Sequence, residues 1–237
     1  GHWSWSPRIC QMILDNQVEA YCWPQGVISH LFRATAGGRP GVVTHVGLGT
    51  FADPRLGGGR CNARTSEALV ERVTLGGREV LFYPAFPVDV AIIRGTTADE
   101  RGNITMEREG VTLEALVAAM AAHNCGGKVL AQVQRVASSG SLDPRRVRVP
   151  GVLVDAVVVA PEQRMSAFTD YNAAYAGEIR APVTELPVLP LDLKKVVARR
   201  AALELQAGLV VNLGFGMSDG VAAVAAEEAV FDRFTLS

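Results

Sequence analysis

Val88-Asp89-Val90-Ala91-Ile92-Ile93-Arg94 and Val129-Leu130-Ala131-Gln132-Val133, with a helical pattern between them, carry the reading that decides the fold. The first run is apolar enough to predict a strand buried on both faces. Asp99-Glu100-Arg101-Gly102-Asn103 is turn chemistry that leads into Ile104-Thr105-Met106. Thr112 to Ala122 then reads as a helix with Thr112 as its cap, and Val129 to Val133 as a second buried strand. Strand-length apolar runs that alternate with longer helical patterns are the signature of an α/β domain.

Outward from this stretch the alternation continues. Upstream, Val27, Ile28, Leu31 and Ala34 form one helical face over Gln25–Ala34, ended by Gly37-Gly38. Val42 to Val46 is strand-like and runs into a glycine-rich loop from Gly47 to Gly59, and Val80 to Tyr83 is a further strand. Downstream, Val152 to Val159 predicts another buried strand. Pro182, Pro187 and Pro190 then mark a linker, because proline fixes φ and cannot continue a helix. Beyond it Asp192 can cap a helix to about Gln206, Leu209 to Leu213 is a strand, Gly214 to Gly220 a glycine loop and Val221 to Val230 a helix. The expected organisation is therefore residues 1–181, a linker over 182–191, and the start of a second α/β unit over 192–237.

Composition excludes several classes of function. The 237 residues carry 23 Lys+Arg against 24 Asp+Glu, 49% hydrophobic and 20% charged, which offers no basic field for nucleic acid or an anionic membrane. The longest apolar runs, Ala115–Ala122 and Val152–Ala160 (broken by Asp155), fall short of the roughly 18 residues of a membrane span. Four scattered cysteines, Cys10, Cys22, Cys61 and Cys125, suggest neither a disulfide scaffold nor a zinc cluster, and the expectation is reduced thiols in the cytoplasm. The histidines form no metal-ligand pattern, so no metal is expected. The opening lacks Met and signal-peptide character, and Phe234-Thr235-Leu236-Ser237 reads as the middle of a strand. These ends predict a piece of a longer polypeptide.

Two loops could carry chemistry. A strand, glycines and a helix start at Gly214 would direct backbone N–H groups at an anion, or form a tight turn alone, and the Gly-x-Gly-x-x-x-Gly spacing is not that of dinucleotide binders. The Gly47 to Gly59 loop could approach a ligand closely or be structural, with Asp53 and Arg55 as an internal ion pair. Glu107, Glu109, Glu227 and Glu228 are nucleophiles in principle. The pairs Glu227-Glu228, Lys194-Lys195 and Arg199-Arg200 read as solvated helix faces.

Trp23-Pro24-Gln25-Gly26, Val46-Gly47-Leu48-Gly49-Thr50-Phe51 with Asp53-Pro54-Arg55, the run Arg94 to Met106, Gly177-Glu178-Ile179-Arg180, and Val211-Asn212-Leu213-Gly214-Phe215-Gly216-Met217 occur in that order. With them the chain resembles the family I coenzyme A-transferases, in the fused acetate or short-chain acyl type, along essentially its whole length. The resemblance implies an open sheet with flanking helices, shared with sugar isomerases, and an incomplete first half followed by the start of a second. It implies a ping-pong transfer of coenzyme A between an acyl-CoA and a carboxylic acid through a glutamyl-CoA thioester, with coenzyme A as substrate and no bound cofactor. Its oxyanion turn falls on Gly214, Phe215, Gly216 and Met217, and its acyl-site wall on Gln25, Gly26, Gly47, Gly49, Thr50 and Phe51. Ser218 stands where the family has proline. The nucleophilic Glu is expected about two residues past Ser237, so residues 1–237 by themselves are expected to be inactive. The implied assembly is a homo-oligomer. Rival readings are a non-catalytic partner chain of the same fold and a sugar-phosphate isomerase, although no phosphate loop or acid/base carboxylate pair stands out for the latter.

Overall fold

The computed structural model describes residues 6–166, 168–186, 188–214 and 216–236. They fall into two compact units, Gly1–Ala176 and Gly177–Ser237. This division precedes the proline-rich stretch. Leu189 of that stretch packs into the core of the second unit.

Unit 1 begins with α1 (Pro7–Leu14) and α2 (Gln25–Ala36), then β1 (Gly41–Thr44), β2 (Glu71–Leu75) and β3 (Arg78–Pro84). These strands form an antiparallel sheet in the order β1-β3-β2. Gly76 and Gly77, both at positive φ, make the two-residue turn that the β2–β3 hairpin needs. Val27, Leu31 and Ala34 turn the α2 stripe inward, and Val27, Leu31, Leu81 and Tyr83 form one core.

Next come β4 (Val90–Arg94), β5 (Thr97–Asp99), β6 (Ile104–Thr105), α3 (Ala115–Asn124), β7 (Lys128–Val133), β8 (Arg135–Ala137), β9 (Val147–Val149) and β10 (Ala156–Val159). β4, β7 and β10 pair in parallel in the order β10-β7-β4, and the remainder make a second open sheet, β8-β5-β6-β9. The buried Asp99 carboxylate closes the β5–β6 turn by accepting from the N–H groups of Arg101 and Asn103 and from Asn103 Nδ2, at 2.9–3.0 Å. A helix joining two adjacent parallel strands runs antiparallel to both, so α3 starts at the carboxyl end of β4. α2 lies alongside α3 in the same direction. Ser29 Oγ donates to Glu114 Oε1 (2.6 Å) near one end, and Asn124 Nδ2 donates to the Ala36 carbonyl (2.6 Å) near the other.

Several expectations are corrected. β4 and β7 are not buried on both faces: α3 packs on one face, and Val90, Ile92 and Leu130 of the other are exposed. α3 starts two residues later than its Thr112 cap predicts, because Leu113 adopts a left-handed φ of 42° that interrupts the helix. β10 is only the second half of the predicted strand. Gly151–Leu153 forms a 3-10 turn, and the Asp155 carboxylate ties the strand start to the Val129 N–H and the Lys128 ammonium.

Unit 2 contains α4 (Leu193–Ala202), β11 (Val210–Val211), α5 (Gly220–Glu227) and β12 (Thr235–Leu236), with β11 and β12 parallel. Asp192 caps α4 by accepting from the Lys195 N–H at 2.9 Å. Ala198, Ala202, Val221 and Val224 join the two helices. α4 and α5 end before Gln206 and Val230, and the left-handed Ala229 follows the end of α5. Lys195 and Glu227 do not belong to solvated faces. Lys195 is 6% exposed, and its Nζ donates to the Leu189 carbonyl and to Glu227 Oε1, both at 2.9 Å.

Leu31 is fully buried in the α2–β3 core. Leu31→Ala is expected to lower the unfolding free energy by about 2–5 kcal/mol, read as a fall in urea midpoint at unchanged slope.

Candidate functional site

The carbonyl of Pro24 accepts from the N–H groups of Val27 and Ile28 and so starts α2, which leaves Gln25 and Gly26 exposed at its N-terminal end. The residues before it are fastened to the end of the glycine loop. Cys22 N–H donates to the Gly59 carbonyl (2.7 Å), Cys61 N–H to the Ala20 carbonyl (2.9 Å), and Trp23 Nε1 to the Gly58 carbonyl (3.3 Å). The Trp23 ring meets the buried Tyr83 ring edge-on at 5.6 Å, and Tyr83 Oη donates to the Val46 carbonyl (3.0 Å) at the start of the loop. Trp23 and Tyr83 thus bring the two predicted wall segments of unit 1 together.

Asp53 organises the loop from inside. The Arg55 side chain donates from Nε to Oδ1 (3.0 Å) and from Nη2 to Oδ2 (2.5 Å), while the Arg55 and Gly49 N–H groups also donate to the carboxylate. Glu79 bridges Arg55 and Arg72 on the neighbouring hairpin at 3.0 and 3.2 Å. The Arg55 side chain, followed by the Gly49 N–H, holds the Asp53 carboxyl well below the usual carboxylate range. Gly47, at φ 106°, admits no side chain, since a Cβ there would meet Tyr83 Oη. The Gly49 N–H is engaged by Asp53, and the loop presents Thr50, the 57%-exposed Phe51 ring and, further along, Leu56 outward.

In unit 2, Gly214, Gly216 and Met217 precede α5, whereas Phe215 lies outside the described residues. Ser218 Oγ donates to the Gly214 carbonyl at 2.8 Å and the Gly216 N–H donates to Asp219 Oδ2 at 3.3 Å. Asp219 is ion-paired to Lys194, whose hydrogen bond lowers its pKa. Met217 is 44% exposed.

Sequence reasoning missed a third feature. Arg94, at the carboxyl end of β4, lies 2.9 Å from Glu109 Oε2 through Nε, an ion pair too bent to be a hydrogen bond. Its Nη2 donates to Glu109 Oε1 (3.3 Å) and to the Arg164 carbonyl (2.6 Å). Gln163 Nε2 also donates to Glu109 Oε1 at 3.1 Å. Beside them opens a cavity of about 780 Å³, bordered by Ile92, Met106, Val111, Leu113, Met165 and Tyr175. The available signal was a strand ending in Arg94-Gly95, because parallel α/β sheets hold ligands at their carboxyl ends. Glu107 serves the second sheet, accepting from Thr97 Oγ1 (2.6 Å) and Arg135 Nη2 (2.9 Å). Among the described residues no group of three His, Cys, Asp or Glu could hold a metal ion, and no helix is long and apolar enough to cross a membrane.

The glycine loop is thus tied to the start of α2 over the antiparallel sheet, beside the parallel one. The family model described as coenzyme A transferase matches residues 1–160, and the chain belongs to that family. It is 47% identical over 229 residues to the caffeate CoA-transferase of Acetobacterium woodii, covering 95% of this chain and 44% of that protein. It is 43% identical to the acetate CoA-transferase YdiF of Escherichia coli K12, covering 100% of this chain and 45% of that one. The crystal structure of the acyl-CoA transferase YdiF apoenzyme from Escherichia coli O157:H7 superposes with a TM-score of 0.92 at 43% identity, again over 100% of this chain and 45% of that one. The chain therefore spans less than half the length of these relatives.

Asp53 gives the site a pH signature. A carboxyl whose folded pKa is depressed contributes its full stability above its unfolded pKa, near 4, and loses it as pH falls toward the folded value. The urea midpoint of unit 1 is expected to fall on acidification below about pH 4. In Asp53→Asn that acid-dependent part is expected to shrink, from a lower midpoint at pH 7.

Proposed function

We propose that the protein to which this sequence belongs transfers coenzyme A between an acyl-CoA and a carboxylic acid. The observation that carries the reading is the junction of Cys22 and Trp23 with Gly59 and Gly58, which joins the Pro-Gln-Gly helix start to the glycine loop within a chain of the coenzyme A transferase family. Gln25, Gly26, Gly47, Gly49, Thr50 and Phe51 form the acyl-site wall: Thr50 and Phe51 face the substrate, while Gly47 and Gly49 allow the turn. Residues 1–181 and 192–237 belong to two halves joined by 182–191. The relatives named for acetate and for caffeate support carboxylic acids as the exchange partners.

The chemistry is covalent. A glutamate carboxylate attacks the thioester carbonyl, the C–S bond breaks, and coenzyme A thiolate leaves behind an acyl-glutamyl anhydride. The thiolate attacks the glutamyl carbonyl, releasing the donor acid as its carboxylate and forming a glutamyl-CoA thioester. The acceptor carboxylate then attacks this thioester, displaces the thiolate and forms a new anhydride. Attack of the thiolate on its acyl carbon gives the new acyl-CoA and returns the glutamate. Each attack creates an oxyanion, for which the N–H groups of the Gly214–Met217 turn are the donors. In the structure the Gly216 N–H is hydrogen-bonded to Asp219, so an incoming oxyanion displaces that carboxylate toward Lys194. The nucleophile itself is a glutamate about two residues past Ser237, and residues 1–237 alone do not complete the cycle. Coenzyme A is a substrate here, and the enzyme works as a homo-oligomer in the cytoplasm.

The test is incubation of the polypeptide, with the residues that follow Ser237, with acetyl-CoA, then borohydride reduction and peptide mass spectrometry. The expected result is a reduced glutamate just past Ser237, together with exchange of coenzyme A into a second acid. A folded protein that carries this glutamate and shows neither label nor exchange would overturn the proposal.

A further inference from the structure

We propose that Cys22 and Cys61 are a dithiol that a low-molecular-weight disulfide converts to a protein disulfide, and that this bridge shifts the start of α2 against the glycine loop. The modification site stands on unit 1 alone, and only its consequence for transfer rests on the acyl-transfer reading. Three observations carry it.

The first is register. Tyr21 and Arg60 form an isolated antiparallel bridge, flanked by the hydrogen bonds from Cys22 N–H to the Gly59 carbonyl and from Cys61 N–H to the Ala20 carbonyl. Side chains alternate across such a ribbon, so Tyr21 and Arg60 point to one face and Cys22 and Cys61 to the other. The two cysteines are diagonal neighbours on that face, a relation that sets Cα atoms about 7–8 Å apart.

The second is the direction of the Cys61 thiol. The residue opposite Cys22 is Gly59, which has no side chain to fill the diagonal. Cys61 Sγ leans back along the ribbon and donates to the Gly59 carbonyl at 3.4 Å, the same carbonyl that accepts the Cys22 N–H. Burial pushes the Cys61 thiol up, the charge of a Cys22 thiolate adds to the shift, and the Cys22 N–H opposes it, so side chain and backbone of Cys22 both lie within reach of this sulfur. Cys61 is the exposed member of the pair and therefore the point of entry.

The third is what closing the bridge moves. A disulfide spans Cα separations of about 4.4–6.8 Å, so closing the diagonal draws the two segments together by about 1 Å. Tyr21 and Arg60 belong to no strand, so no extended ladder fixes their spacing. Gly59 lies so close to Trp23 that a Cβ there would stand 2.6 Å from Trp23 Cδ1, and Trp23 Nε1 holds the Gly58 carbonyl. The movement therefore reaches Trp23 and, through it, Pro24 and Gln25. In the reaction the Cys61 thiolate attacks one sulfur of glutathione disulfide, and a glutathione thiolate leaves. The Cys22 thiolate then attacks the Cys61 sulfur and displaces the second glutathione thiolate. Two protein thiols lose two electrons and two protons, which glutathione disulfide takes up as two glutathione thiols. The second step is intramolecular and so outruns attack by another glutathione.

The experiment treats the polypeptide, with its flanking residues, with glutathione disulfide at about pH 8.5, where thiolates are populated. Remaining thiols are alkylated and the peptides mapped by mass spectrometry. The expected product is a peptide pair linked through Cys22 and Cys61 and released by dithiothreitol, with Cys125, which follows the end of α3, outside any protein disulfide. Cys22→Ser is expected to stop at a mixed disulfide of glutathione with Cys61. Glutathione adducts on both cysteines without a link, or a link from either to another cysteine of the folded protein, overturn the site. On oxidation, kcat/KM for acetyl-CoA with one acceptor acid is expected to fall at least fivefold, to return with dithiothreitol, and to stay level in Cys61→Ser. A linked peptide with kcat/KM unmoved overturns the shift of α2 and leaves the transferase reading standing. If the reduced protein transfers nothing, the transferase reading fails, and the peptide map decides the disulfide by itself. Hydrogen exchange over residues 22–28 then decides the shift: a changed rate in the oxidised protein upholds it, and an equal rate overturns it.

Discussion

The parallel pairing of β4 with β7 through α3 is the constraint from which the geometry of unit 1 follows. Two adjacent parallel strands require the connecting helix to return antiparallel to both, which puts the start of α3 at the carboxyl end of Arg94. Once α3 is placed, Ser29 and Ala36 fasten α2 beside it, and Gln25 stands at the same end as the Arg94–Glu109 pair. Neither helix start could move to the opposite end without breaking a strand register fixed over Val90 to Arg94.

Polar groups inside this frame orient loops rather than stabilise the core. Asp53 accepts hydrogen bonds from backbone and guanidinium donors, and in doing so it converts a glycine-rich segment, costly in conformational entropy, into one shape. Asp99 does the same for the β5–β6 turn. Trp23 and Tyr83 then join the ordered loop to the helix start by ring contact and by hydrogen bonds to main-chain carbonyls. The loop is thus fastened at its base while Thr50 and Phe51 remain outward.

The strand–helix alternation, the amphipathic stripe of α2, the Asp192 cap and the glycine turns were all legible in the amino-acid order, because each depends on neighbours a few residues apart. So was the coenzyme A transferase resemblance, which rests on long ordered segments. The Thr112 cap misled because a good capping residue does not compel a helix to start, and the backbone bends at Leu113 first. The two-sided burial of β4 misled because an apolar run records what a strand could bury and not which faces its neighbours cover. Lys195 looked solvated beside Lys194 and Arg199, yet α5 brings Glu227 and the Leu189 carbonyl to it from distant positions.

The sequence by itself determined the class of fold, the two glycine loops and the family, since propensity, turn chemistry and motif spacing are local properties. Only the tertiary structure decided that Trp23 closes against Gly58 and Gly59, that Glu109 is a buried partner of Arg94 rather than a free carboxylate, and that an apolar cavity opens beside them. Those outcomes depend on contacts between residues 15 to 70 positions apart, such as Arg94 with Glu109 and with Arg164. Such pairings are set by the packing of α2, α3 and the parallel sheet, and no short stretch of sequence encodes them.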